Sequence, residues 1–83
     1  MRSVRVLYFA AVRDLVGRVE EELDLPESVR RVSDLVCFLE EVHPALSGKL
    51  GGVRFAVNET FADGVDEVGD RDVIAVIPPV AGG

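Results

Sequence analysis

The residues best suited to chemistry in this 83-residue chain are its last, Ile77-Pro78-Pro79-Val80-Ala81-Gly82-Gly83. Val73 to Ile77 is an unbroken apolar run rich in β-branched residues, the pattern of a strand buried on both faces. Pro78 and Pro79 end any ladder, because neither carries an N–H and both hold φ near the extended region. The four residues after them are nearly bare of side chain. Two glycines let an α-carboxyl pass through a channel too narrow for a Cβ. The reacting group would then be the Gly83 carboxyl, threaded by Val80, Ala81 and Gly82, on a tail presented to and modified by another protein.

Other candidate groups do less. Cys37 falls on the polar side of a helical wheel, beside Ser33, Asp34, Glu40 and Glu41. Carboxylate neighbours disfavour the thiolate, the opposite of what activates a cysteine, so this lone thiol reads as incidental. His43 stands at a helix C-terminus before Pro44, where the dipole favours a cation. With no second His and no nearby Cys it is not a metal ligand, and no metal site is expected. Gly48, Lys49, Gly51 and Gly52 do not have phosphate-loop spacing. No general acid–base pair is evident.

These groups must be held by a small fold. Ser3 to Phe9 reads as a strand, with Val4, Val6 and Tyr8 on one face and Arg5, Leu7 and Phe9 on the other, both largely apolar. Ala10 to Val16 reads as a short helix on Val12, Leu15 and Val16, closed by Gly17. Arg18 to Leu25 is a second strand, with Val19, Glu21, Leu23 and Leu25 inward; Glu20-Glu21-Glu22 could attract a basic partner. Val32, Leu35, Val36, Leu39 and Val42 repeat at helical spacing in the main helix, started by Ser33 and Asp34 and stopped by Pro44. Ala45 to Gly52 is a loop, Val53 to Val57 a strand with Val53, Phe55 and Val57 inward, and Asn58-Glu59 a tight turn into a short strand at Thr60 to Ala62. This order gives an α+β fold of the β-grasp type. A mixed sheet of about five strands carries one main helix across it, with a short helix after strand 1 and the first and last strands parallel neighbours. Residues 1–77 form the domain and 78–83 the extended tail.

Composition narrows the function classes. Fifteen acidic residues against nine basic give a net charge of −6. An acidic chain without a basic cluster is poorly suited to nucleic acid, lacks a membrane-surface signature, and suits partners with positive surfaces. No apolar run approaches membrane-spanning length, and one Cys makes no internal disulfide. A cytoplasmic location is expected.

Four stretches resemble a known family. Val6-Leu7-Tyr8-Phe9-Ala10, Val12-Arg13-Asp14-Leu15-Val16-Gly17, Ala56-Val57-Asn58-Glu59 and Ile77-Pro78-Pro79-Val80-Ala81-Gly82-Gly83 stand in order and at the spacing of the small, sulfur-carrying subunits of molybdopterin synthase (the MoaD type), among the ubiquitin-like β-grasp sulfur carriers. The resemblance implies that Gly83 is adenylated by a ubiquitin-activating-like adenylyltransferase using ATP and Mg²⁺, with no cofactor bound by this chain itself. A sulfur donor protein then converts the acyl-adenylate to a thiocarboxylate, which gives its sulfur to cyclic pyranopterin monophosphate in the large subunit. The implied assembly is a heterotetramer with catalytic side chains in the large subunit. Phe9, Arg13, Ile77, Pro78 and Pro79 are the implied partner-binding residues. Sister carriers for thiamine, tRNA thiolation or cysteine synthesis, and ubiquitin-like protein modifiers, share this tail. One departure stands out: relatives usually have Asp-Gly-Asp before the last strand, where this chain has Asp70-Arg71-Asp72. Either Arg71 takes a left-handed conformation, or the turn shifts onto Gly69.

Overall fold

The structure, a computed structural model, describes residues 1–79. The elements run β1 (Arg2–Tyr8), α1 (Ala10–Val16), β2 (Glu20–Leu25), α2 (Val32–Val42), a single 3₁₀ turn (Pro44–Leu46), β3 (Arg54–Val57), β4 (Thr60–Ala62) and β5 (Val73–Ile77). Five strands make one sheet in the order β2-β1-β5-β3-β4. β1 and β5 are central and parallel, Tyr8 lying opposite Val76; the other pairs are antiparallel. This is the mixed sheet and main helix expected from the sequence.

The period-2 pattern decides what the sheet buries. Val4, Val6 and Tyr8 of β1, Ile74 and Val76 of β5, and Phe55 of β3 form one core with Val32, Leu35 and Leu39 of α2. Among the described residues, no helix lies over the opposite face. There Arg5 and Phe9 are exposed and Leu7, Val73, Ala75 and Ile77 are half-buried, so the expectation that β1 and β5 are apolar and covered on both sides is corrected. The single helical layer covers one face, and the apolar residues of the other remain available. Val19 is likewise exposed rather than inward: its carbonyl accepts the Tyr8 amide at 2.8 Å, but regular pairing starts at Glu20.

α2 spans Val32–Val42, as its helical spacing predicts, and its N-cap is Arg31. Asp34, in its first turn, accepts the Arg30 and Arg31 backbone N–H groups at 3.1 Å each. Those bonds hold the Asp34 carboxyl below the usual carboxylate range. The Ala45–Gly52 segment is more than a loop, because Leu46 and Leu50 enter the core from it. Asn58 and Glu59 have φ of 50° and 71°, a turn of the I′ type whose twist matches the hairpin β3–β4. The Asn58 side chain accepts from Val73 N and donates to Asp72 Oδ1, both at 2.9 Å, and so clips this hairpin to the start of β5. Arg71 takes the left-handed conformation at φ 67°, which resolves the turn before β5 in favour of strain at Arg71.

Candidate functional site

β5 carries the chain out of the core at Ile77, and the residues around that exit define the site. Alternation leaves Ala75 and Ile77 on the uncovered face. On one side β1 ends at Tyr8, and Phe9 continues extended, with φ −125° and ψ 149°, so its ring also points to that face. Ala10 then turns the chain into α1 with φ 49°, a conformation that costs an alanine roughly 1 kcal/mol. Phe9, Ala10, Ala11, Ala75, Ile77, Pro78 and Pro79 line an open apolar groove of about 710 Å³. Phe9 is 44% exposed, unusual for a phenylalanine with a core beside it.

The apolar surface continues on the other side of β5. Arg54 lies opposite Ile77, and Ala56 opposite Ala75 and Phe61. The Phe61 ring is 56% exposed, and the Arg54 guanidinium lies 4.1 Å above its centre. The root of the tail is thus bracketed by Phe9 on one flank and by Arg54 and Phe61 on the other. A contiguous apolar face with a cation in it is the composition of a protein-docking surface.

The sequence matches the ThiS family over residues 6–83. The chain belongs to the ThiS family. It is 37% identical over 83 residues to the molybdopterin synthase sulfur carrier subunit of Mycobacterium tuberculosis, covering both chains completely. Among solved structures it resembles a molybdopterin converting factor subunit 1 from Pyrococcus furiosus, with a TM-score of 0.83 and 35% identity, over 96% of this chain and 100% of that one. It also resembles a chain of the complex of subunits 1 and 2 of the molybdopterin-converting factor from Helicobacter pylori, with a TM-score of 0.69 and 26% identity, over 98% and 99% of the two chains.

In this ThiS-family chain the structure brings together four of the five partner-binding residues expected from sequence: Phe9, Ile77, Pro78 and Pro79. Arg13 is exposed on α1 and does not line the groove. Val80, Ala81, Gly82 and Gly83, the tail and its reacting terminus, lie outside the described residues. Cys37 is exposed on α2, away from the groove. Phe61 and Arg54 were missed. A signal existed for Phe61, since an aromatic in a three-residue edge strand can bury only one face, but its nearness to Ile77 depends on β3 pairing with β5.

Sequence reasoning also missed a polar cluster beneath the sheet. The Glu21 side chain is 8% exposed and accepts from the Tyr8 hydroxyl at 2.5 Å and from His43 Nε2, with Arg18 Nη1 3.7 Å away. Burial alone would raise the Glu21 pKa, but the bonds from Tyr8 and His43 and the neighbouring positive charge hold it below the ordinary value. Burial, reinforced by the bond and the charge of Glu21, pushes the Tyr8 phenol well above its usual range. Tyr8 and His43 meet edge to face at 5.9 Å. The cluster ties β1 and β2 to the end of α2. Glu21 is therefore engaged inward and is not part of an acidic lure for a basic partner, leaving Glu20 and Glu22 exposed. Among the described residues no group of three or more His, Cys, Asp or Glu is placed to hold a metal, and no helix is long and apolar enough to cross a membrane.

Proposed function

We propose that this chain is the sulfur-carrier subunit of a molybdopterin synthase and that the apolar groove at the base of its tail is where its partners grip it. The observation that carries this reading is the placement of Phe9, Ile77, Pro78 and Pro79 in one groove where β5 leaves the fold. Its likeness to molybdopterin synthase sulfur carrier subunits over the full length supports it. The domain contributes a rigid handle, and the reacting group is the Gly83 α-carboxyl.

A carboxylate is a poor electrophile, so loading needs activation. An adenylyltransferase of the ubiquitin-activating type would spend ATP with Mg²⁺ to form the Gly83 acyl-adenylate and release pyrophosphate. Sulfur delivered by a donor protein at the oxidation level of sulfide would displace AMP and leave a thiocarboxylate. In the large subunit, that sulfur attacks cyclic pyranopterin monophosphate, and hydrolysis of the acyl–sulfur bond returns the carboxylate. Two carriers' worth of sulfur make one dithiolene. Proton transfers and substrate binding fall to the large subunit, in a heterotetramer of two small and two large subunits in the cytoplasm.

The test is the intact mass of the chain after incubation with its host's adenylating enzyme, ATP and a sulfur source, beside a variant lacking Gly83. Exchange of one oxygen for sulfur only with the intact tail is the expected result. No exchange, with an adenylating enzyme active on another carrier, would overturn the reading; lysine-linked conjugates would point instead to a protein modifier.

A further inference from the structure

Arg54 lies on the uncovered face between Ile77 and Phe61. It lies directly opposite Ile77, the last residue of β5, and its guanidinium is stacked 4.1 Å above the Phe61 ring centre. Phe61 in turn lies opposite Ala56, which is opposite Ala75. No partner can cover Phe61 and Ile77 together without covering Arg54 between them.

That placement sets a chemical requirement. The stack satisfies the flat face of the guanidinium, but its five N–H donors lie in the plane of the group and are hydrated while the face is open. Covering the face strips that water. A cation buried without an anion is costly, whereas a carboxylate set against the fork of a guanidinium makes two parallel charge-assisted bonds. We propose that Arg54 is the specificity-determining contact of the docking face: a carboxylate of the partner subunit meets its guanidinium when that subunit covers Phe9, Phe61 and Ile77. The inference rests on the reading of this face as the grip for the large subunit. It adds what that subunit must carry. The chain has a net charge of −6, so a partner matched to most of its surface is basic. A carboxylate opposite Arg54 runs against that trend, and a generic basic protein would lack it.

The test is the affinity of the isolated chain for its large subunit, at low and high salt, for wild type and for Arg54→Met, Arg54→Lys, Arg54→Glu and Ile77→Asp, each checked for folding by circular dichroism. Arg54→Met keeps the apolar stem and should weaken binding roughly 30-fold. Arg54→Lys keeps the charge without the fork and should fall between wild type and Met. Arg54→Glu should be the weakest of the three, and the Met variant should lose part of the salt dependence. Arg54→Met binding as tightly as wild type, while Ile77→Asp abolishes binding, would overturn the Arg54 assignment and leave the docking face standing. Normal binding by Ile77→Asp would overturn both. A dimer of the isolated chain broken by Arg54→Glu would assign the face to a second copy and overturn the partner-subunit carboxylate. Sulfur loading of Gly83 on the wild-type chain, scored by mass, reports on the sulfur-carrier reading independently of these affinities.

Discussion

The Tyr8 hydroxyl donates to Glu21 Oε2 at 2.5 Å, joining the last residue of β1 to β2 across the buried face of the sheet. Tyr8→Phe removes the donor and leaves the shape. A part-buried carboxylate losing one such bond should cost about 1–2 kcal/mol. Urea unfolding of the variant against wild type measures it, and an unchanged midpoint would show that the bond contributes nothing net.

The same carboxylate makes stability depend on pH. The Glu21 pKa is depressed in the folded chain relative to its ordinary value of 4.5, so the folded state favours the charged form. The stability it contributes is present above the unfolded value and is lost as pH falls through the folded one. The gap between wild type and Glu21→Gln should be widest near neutrality and close on acidification below about pH 4.5. A gap constant from pH 7 to pH 3 would contradict the assignment.

Arg71 holds φ 67° while its N–H donates to the Ser3 carbonyl at 2.6 Å. Arg71→Gly keeps that bond and removes a left-handed penalty of about 1–2 kcal/mol, against which the freer unfolded chain costs about 0.5–1 kcal/mol. The net gain should raise Tm by a few degrees, roughly 2–5 °C for a domain of this size. A lower Tm would mean that the exposed ion pair of Arg71 Nε with Asp70, 3.8 Å long, outweighs the backbone strain.

Leu46 is fully buried although it follows Pro44 in a 3₁₀ turn outside the main helix. Leu46→Ala should cost ~2–5 kcal/mol, a large fraction of the stability of a small domain. A cost under ~1 kcal/mol would show that the segment merely rests on the core.

Phe9 separates binding from folding. It is exposed beside the groove, so Phe9→Ala should change stability by less than ~1 kcal/mol yet weaken the large subunit's grip by about tenfold or more. Normal binding would place the grip elsewhere.

Both helices and the succession of five strands along the chain were legible in the sequence, because each rests on a local signal; of the order within the sheet, only the parallel pairing of the first and last strands was expected. Val32, Leu35 and Leu39 share a helix face by spacing alone, Gly17 closes α1, and Asn58-Glu59 turns a hairpin. Four groove residues were legible as well, since they flank the tail or carry the family pattern. Leu46 and Leu50 were not, because two leucines four apart in a Gly-rich stretch make no periodic pattern. Glu21 reads in sequence as part of a charge run, because nothing in a sequence tells a carboxylate that Tyr8 and His43 will meet it.

The sequence by itself determined the strand and helix periods, the Pro-Pro stop after β5, and a tail ending Gly82-Gly83, all properties of a chain and its nearest neighbours. Only the tertiary structure decided that the apolar outer residues of β1 and β5 stay uncovered, and that Phe9, Ile77, Arg54 and Phe61 surround one exit. Period 2 states that a strand has two faces, but which face receives the single helical layer is settled by packing across the whole sheet. Arg54 is 23 residues from Ile77 in the chain and directly across from it in the fold, because β3 pairs with β5.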